Sequence, residues 1–191
     1  GCLAVEKKGG ILVHPSPQRN SGTLANAVLG YYQRTGQACG VHPVTRLDRD
    51  TFGVVLFAKN AYVHEKFFHM QKQHLISKTY LAAVHGGPRS EAGVIDLPIA
   101  RVGGRSLLRT VAPGGEESRT NFRVLSRFEN YSILELKPVT GRTHQLRVHC
   151  FYAGFPILGD PQYQTRESRQ FSRENGLFTQ ELCAKRLEFL H

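Results

Sequence analysis

Five consecutive residues, Arg46-Leu47-Asp48-Arg49-Asp50, put two guanidiniums and two carboxylates directly before an apolar run at 54–58. Asp48 and Asp50 are two apart, so on extended chain they share a side. Paired carboxylates of this kind cleave glycosidic bonds, one as acid and the other as base or nucleophile. The same five residues also make a salt-bridged turn, with Arg46 and Arg49 neutralising the aspartates. Taken alone, the pentapeptide leans to the turn.

Other chemistries find less support. No G-x-S-x-G elbow accompanies the histidines, and neither G-x-G-x-x-G nor a P-loop stands between a strand and a helix. No nucleotide cofactor is implied. Cys2, Cys39, Cys150 and Cys183 are far apart and form no C-x-x-C pair, which argues against a zinc site or a disulfide framework and fits a reducing cytoplasm. In "HEKFFH", His64 and His69 are five apart, so a helix turns them away from each other. No metal is expected.

The 191 residues carry 25 Lys and Arg against 15 Asp and Glu, a formal charge of +10. Such an excess on a small chain favours a polyanionic partner, most simply nucleic acid. The charge is dispersed, without a basic tail. No apolar run is long enough to span a bilayer, and residues 1–10 lack the apolar core of a secretion signal.

The elements that must position these groups follow from periodicity. A strand, a Gly-Gly turn and a second short strand open the chain, and a helix runs from a Ser/Thr start to Gly36. Residues 53–58 form a buried strand. Asn60 caps a helix reaching about Gln73, with Val63, Phe67 and Met70 on one face. "KTYLAAVHG" is a strand. The Gly- and Arg-rich stretch 93–120 is a hairpin or excursion, and two alternating strands flank residues 129 and 130. Thr143 is expected to cap a helix closed by Gly154. Residues 164–176 are expected as a polar loop, followed by a last strand at 182–190. The pattern predicts an α+β fold with a mixed, mostly antiparallel sheet, as one domain or two small lobes.

Taken in order, "RLDRDT-G", "FAKN", "KTYLAAVHG", "GRTHQLRVH" and "GDPQY" resemble the RluA-type pseudouridine synthases, uridine isomerases of ribosomal and transfer RNA. The resemblance runs from about Ala4 to Leu190. It implies one catalytic domain over 1–191, with flanking helices, a central RNA-binding cleft and no small S4-like module before it. It places the catalytic aspartate on Asp48, the active-site tyrosine on Tyr80 and the aspartate's arginine partner on Arg147, with Arg142 a competitor for that pairing. Arg46 matches the residue that enters the RNA where the base leaves, and Leu146 lines the pocket. Arg49, Arg142, Arg105 and Arg109 are expected to meet RNA.

The implied reaction suits these residue types. The N-glycosidic bond of a uridine breaks, the base turns and a bond re-forms through C5. Asp48 would act as nucleophile or base, and a guanidinium would keep it ionised against desolvation. Tyr80 would stack on the uracil and set a hydroxyl near the reacting carbon. Neither cofactor nor metal is needed. The implied partner is an RNA, met by a cytoplasmic monomer without a membrane. Departures from the family pattern are Thr45 for a histidine, Phe52 for a serine, Lys7-Lys8 for lysine-proline and Cys183 for a histidine. Two other classes compete: a non-catalytic RNA-binding assembly module, and a nucleoside hydrolase or glycosylase using Asp48 with Asp50.

Overall fold

The computed structural model describes residues 1–16, 20–103 and 108–190. It divides into two compact units: Gly1–Ser77 with Ala184–His191, and Lys78–Cys183. Its elements are β1 (Cys2–Lys7), α1 (Leu24–Arg34), β2 (His42–Pro43), β3 (Phe52–Ala58), α2 (Ala61–Lys72), β4 (Ile76–His85), β5 (Ala92–Asp96), β6 (Ile99–Arg101), β7 (Arg109–Val111), β8 (Arg119–Arg127), β9 (Tyr131–Pro138), α3 (Gln145–Tyr152), α4 (Arg166–Glu174) and β10 (Leu182–Phe189). The class is α+β with mostly antiparallel strands, as the periodicity predicts.

In the first unit β3 lies between β1 and β10, with β2 paired to the outer end of β3. β1 and β3 are antiparallel, from Cys2 against Ala58 to Lys7 against Gly53. Val55, Phe57, Leu24, Val28 and Tyr32 pack one core, while Leu56, Ala58, Val44 and Phe67 pack a second. β3 therefore buries side chains on both faces, which explains its continuous apolar run. Gly53 is required at its start. Its φ is +113°, and a Cβ there would stand 2.3 Å from the Ala184 carbonyl oxygen. α1 begins with a reciprocal box between Thr23 and Asn26, and the Asn60 side chain caps α2 as expected.

In the second unit the strand order is β4-β9-β8-β5, with β6 and β7 as a separate hairpin. β4 against β9, β9 against β8 and β8 against β5 are antiparallel. Ala82, Val84, Leu134, Leu136, Leu146, Cys150 and Ile157 form the core between these strands and α3. His149 is wholly buried beside Thr120 Oγ1 and the Leu97 carbonyl, and burial pulls its pKa below the ordinary value.

Three expectations need correction. Residues 11–15 form no strand, because the Ile11 carbonyl turns inward to accept from Lys7. Thr143 does not cap α3: the cap is His144, at φ +57° with no side-chain cap bond. Residues 166–174 are a helix rather than loop. Their sequence lacks an apolar period, but Thr165 and Ser168 cap the helix reciprocally and its buried side is made by Ser168 and Ser172.

Candidate active site

Asp48 sits, half-buried, on the loop between β2 and β3. Three anchors fix that loop. At its start, Thr45 is buried, and its hydroxyl accepts from the Leu56 N–H at 3.0 Å. The N–H groups of Val44 and Thr45 in turn donate to the Leu56 carbonyl. In the middle, Leu47 packs against the Val55 and Phe57 core. At its end, the Lys7 ammonium donates to the Arg49 carbonyl at 2.7 Å. Asp48 thus lies between an apolar anchor and a charged one, at consecutive positions.

Lys7 is the inward residue at the end of β1 and is only 1% exposed. It also donates to the Lys8 and Ile11 carbonyls, each at 2.9 Å. Three carbonyls satisfy all three of its protons. Burial pulls its pKa down to about 8, against the opposing pull of the Asp50 and then the Asp48 carboxylates. This buried positive charge under the loop has one sequence signal, a lysine ending a strand whose alternation calls for an inward residue.

The other members of the pentapeptide are accounted for locally. Arg49 and Asp50 form an ion pair at 3.0 Å, with the arginine side chain 60% exposed. Arg46 is exposed and makes no hydrogen bond or ion pair among the described residues. The salt-bridged turn is therefore real and joins Arg49 to Asp50.

In the second unit, Tyr80 lies on β4 opposite Leu136 of β9 and packs, half-buried, against the core. Arg147 lies on α3 and is 4% exposed. Its Nε donates to Asp160 Oδ2 at 2.6 Å, and its Nη2 to Asp160 Oδ1 at 2.9 Å and Gln162 Oε1 at 2.8 Å. The guanidinium stands 5.0 Å from the Tyr163 ring centre. Asp160 also accepts from the Gln162 and Tyr163 N–H groups. A planar fork held on two sides and stacked on a third has one orientation. Its holders, Asp160 and Tyr163, come from "GDPQY"; the sequence marks that segment but not its contact with α3.

Tyr163 ties further groups in. Its hydroxyl accepts from the Arg109 N–H at 2.8 Å and is 2.9 Å from His144 Nδ1. Arg142 is exposed, pairs with Glu116 at 2.7 Å and donates to the Glu117 carbonyl. Leu146 is buried in the core beside Ala82 and Leu136. Arg105 lies outside the described residues. Among the described residues, no three His, Cys, Asp or Glu side chains gather as a metal site. No helix among them is long and apolar enough to cross a membrane.

Comparison with known proteins gives this geometry its context. The family model described as RNA pseudouridylate synthase matches residues 1–151, which hold Asp48, Tyr80 and Arg147. The chain is 37% identical over 190 residues to the uncharacterized RNA pseudouridine synthase YjbO of Bacillus subtilis, covering 99% of this chain and 64% of that protein. It is 33% identical over 199 residues to ribosomal large subunit pseudouridine synthase D of Buchnera aphidicola, covering 99% and 62%. The chain thus spans less than two thirds of these relatives' length. Its fold matches human RNA pseudouridylate synthase domain containing 1, with a TM-score of 0.79 at 27% identity over 97% of this chain and 74% of that one. By the family match and by relatives aligned along its whole length, the chain belongs to the RNA pseudouridylate synthases and is of the RluA type.

Proposed function

We propose that this chain isomerises uridine in structured RNA to pseudouridine, with Asp48 as the catalytic carboxylate. The observation that carries this reading is the Asp48 loop: a half-buried carboxylate whose backbone is fixed by Thr45, Leu47 and Lys7, within the residues that the family model matches. The family match over residues 1–151 supports the reaction type. A relative named for the ribosomal large subunit favours ribosomal RNA over transfer RNA.

In this reading the C1′–N1 bond of the uridine breaks and a C1′–C5 bond forms. The proton on C5 leaves to solvent and N1 takes one up, so mass is unchanged. Asp48 acts as nucleophile or base. Tyr80 stacks on the flipped uracil and presents its hydroxyl. Arg147, oriented by Asp160, supplies positive charge to the reacting group. Arg46 fills the gap that the base leaves, since flipping costs a few kcal/mol of lost stacking. Arg49, Arg142, Arg105 and Arg109 meet phosphates, and Leu146 serves as an apolar lining residue. The enzyme works as a cytoplasmic monomer, without metal or cofactor.

Product analysis tests the reaction. Incubation with RNA tritiated at uridine C5 should release tritium without free uracil. Carbodiimide mapping in a strain lacking the gene should show one or more missing pseudouridines. Released uracil would favour a hydrolase, and unaltered RNA a binding module.

A further inference from the structure

Helix α4 takes no part in the reaction above and lies beyond residues 1–151 that the family model matches. It carries Arg166, Arg169 and Arg173 at i, i+3 and i+7. On an α-helix these fall within about 60° of one another and along about 10 Å of axis. Ser168 and Ser172 make the buried side, and the centre of the arginine stripe lies about 110° round the helix from it. All three are exposed, and their guanidiniums make no hydrogen bond or ion pair among the described residues.

For the helix alone this stripe is unfavourable. Arg166 with Arg169, and Arg169 with Arg173, are like charges at neighbouring surface positions. Arg166 also stands in the first turn, where the helix dipole disfavours a cation. The helix's own carboxylates offset them only in part, since Glu167 feels the Arg166 charge but forms no ion pair with it. Glu167 is held at the cap by its own backbone and by Thr165, and Glu174 accepts from Gln170 on the flank. One small anion would satisfy one guanidinium. A ligand with several closely spaced negative charges would relieve all three.

We propose that α4 is a docking rail for the sugar-phosphate backbone of the RNA substrate, engaging phosphates rather than the uridine that reacts. The proposal rests on the RNA reading above. The test compares the wild-type chain with Arg166→Gln/Arg169→Gln/Arg173→Gln, using transcribed large-subunit ribosomal RNA and transfer RNA as probes. Binding is measured from about 50 to 200 mM salt, and the log–log slope should become shallower by about 2 to 3 when three phosphate contacts go. Affinity should fall at least tenfold, while the single-turnover rate at saturating protein stays at the wild-type value. Glu167→Gln/Glu174→Gln should shift affinity the opposite way. The triple variant should melt no lower than wild type, because it loses repulsive pairs.

A triple variant with wild-type affinity and slope, alongside an active wild type, overturns the rail and leaves the isomerase reading standing. Lost binding accompanied by a lower melting temperature also overturns the rail, in favour of a structural role. A wild-type chain that binds neither RNA sinks both proposals.

Discussion

The Lys7 ammonium donates to the Arg49 carbonyl at 2.7 Å, so the end of the first strand holds the peptide that follows Asp48. Forty-two residues separate the two, and β1 against β3 brings them together through the Lys7–Gly53 register. The loop's conformation thus depends on a buried cation that makes no contribution to the apolar core.

Removing that cation has two consequences. Lys7→Met leaves the Lys8, Ile11 and Arg49 carbonyls without their donor, and a buried unsatisfied group costs about 1–3 kcal/mol. Stability should fall by that order or more in denaturant titration, and pseudouridine formation should fall further than stability does. The pH dependence has a fixed sign. The folded pKa is about 8, below the unfolded value of 10.5, so between these the unfolded chain binds the extra proton. Wild-type stability, relative to Lys7→Met, should therefore rise from about pH 8 toward 10.5, by at most about 1.4 kcal/mol per pH unit. A flat difference would show that Lys7 does not titrate in this window.

Arg147 depends on Asp160 in a comparable way. Asp160→Ala removes a bidentate acceptor from a buried guanidinium, together with the acceptor for the Gln162 and Tyr163 N–H groups. Breaking a buried pair at one end costs about 3–5 kcal/mol. Arg147→Lys keeps the charge but loses the fork, so its isomerisation rate should drop with less loss of stability. A loss under about 1 kcal/mol in Asp160→Ala would mean that the fork is not structural.

Tyr80→Phe separates stacking from the hydroxyl. The ring keeps its place against Ala82 and Leu136, so fold and RNA affinity should survive. Base stacking contributes about 1–3 kcal/mol and does not need the hydroxyl. Isomerisation in single turnover should nevertheless drop. Full activity would remove the hydroxyl from the reaction, and an unfolded variant would assign Tyr80 to packing alone.

What was legible in the sequence depended on the kind of signal. Strand β3 announced itself through its apolar run, and α2 through Asn60 and the Val63, Phe67 and Met70 face. Helix α4 did not, because its buried side is Ser168 and Ser172 and its exposed side is arginine; only the cap at Thr165 betrays it. The family motifs marked Asp48, Tyr80 and Arg147. They did not reveal that Arg147 sits on Asp160, since the ion pair joins α3 to a loop 13 residues on. Nor did the pentapeptide say which aspartate Arg49 would take. That choice follows from the loop turning at 49 and 50, which sets the neighbouring side chains together.

The division of labour between Asp48 and Asp50 gives the sharpest test. Asp50 already holds the exposed guanidinium of Arg49, and an ion pair at such a surface contributes about 0.2–1 kcal/mol. Asp50→Asn should leave most of the activity, because the amide still accepts from Arg49, and its stability cost should come mainly from removing a carboxylate that faces the buried Lys7 ammonium. Asp48→Asn keeps the shape of the side chain while removing its charge and its capacity as nucleophile or base. The three anchors of its loop use backbone groups and the Thr45, Leu47 and Lys7 side chains, so the loop should hold its form. The variant should remain folded, and RNA affinity should be kept or rise as a negative charge leaves a surface that, on the proposed reading, meets phosphates. Tritium release from uridine C5 should vanish in Asp48→Asn and persist in Asp50→Asn. Activity that survives in Asp48→Asn would remove it from the reaction. Equal loss in both variants, with both folded, would restore the reading in which the two carboxylates work as a pair.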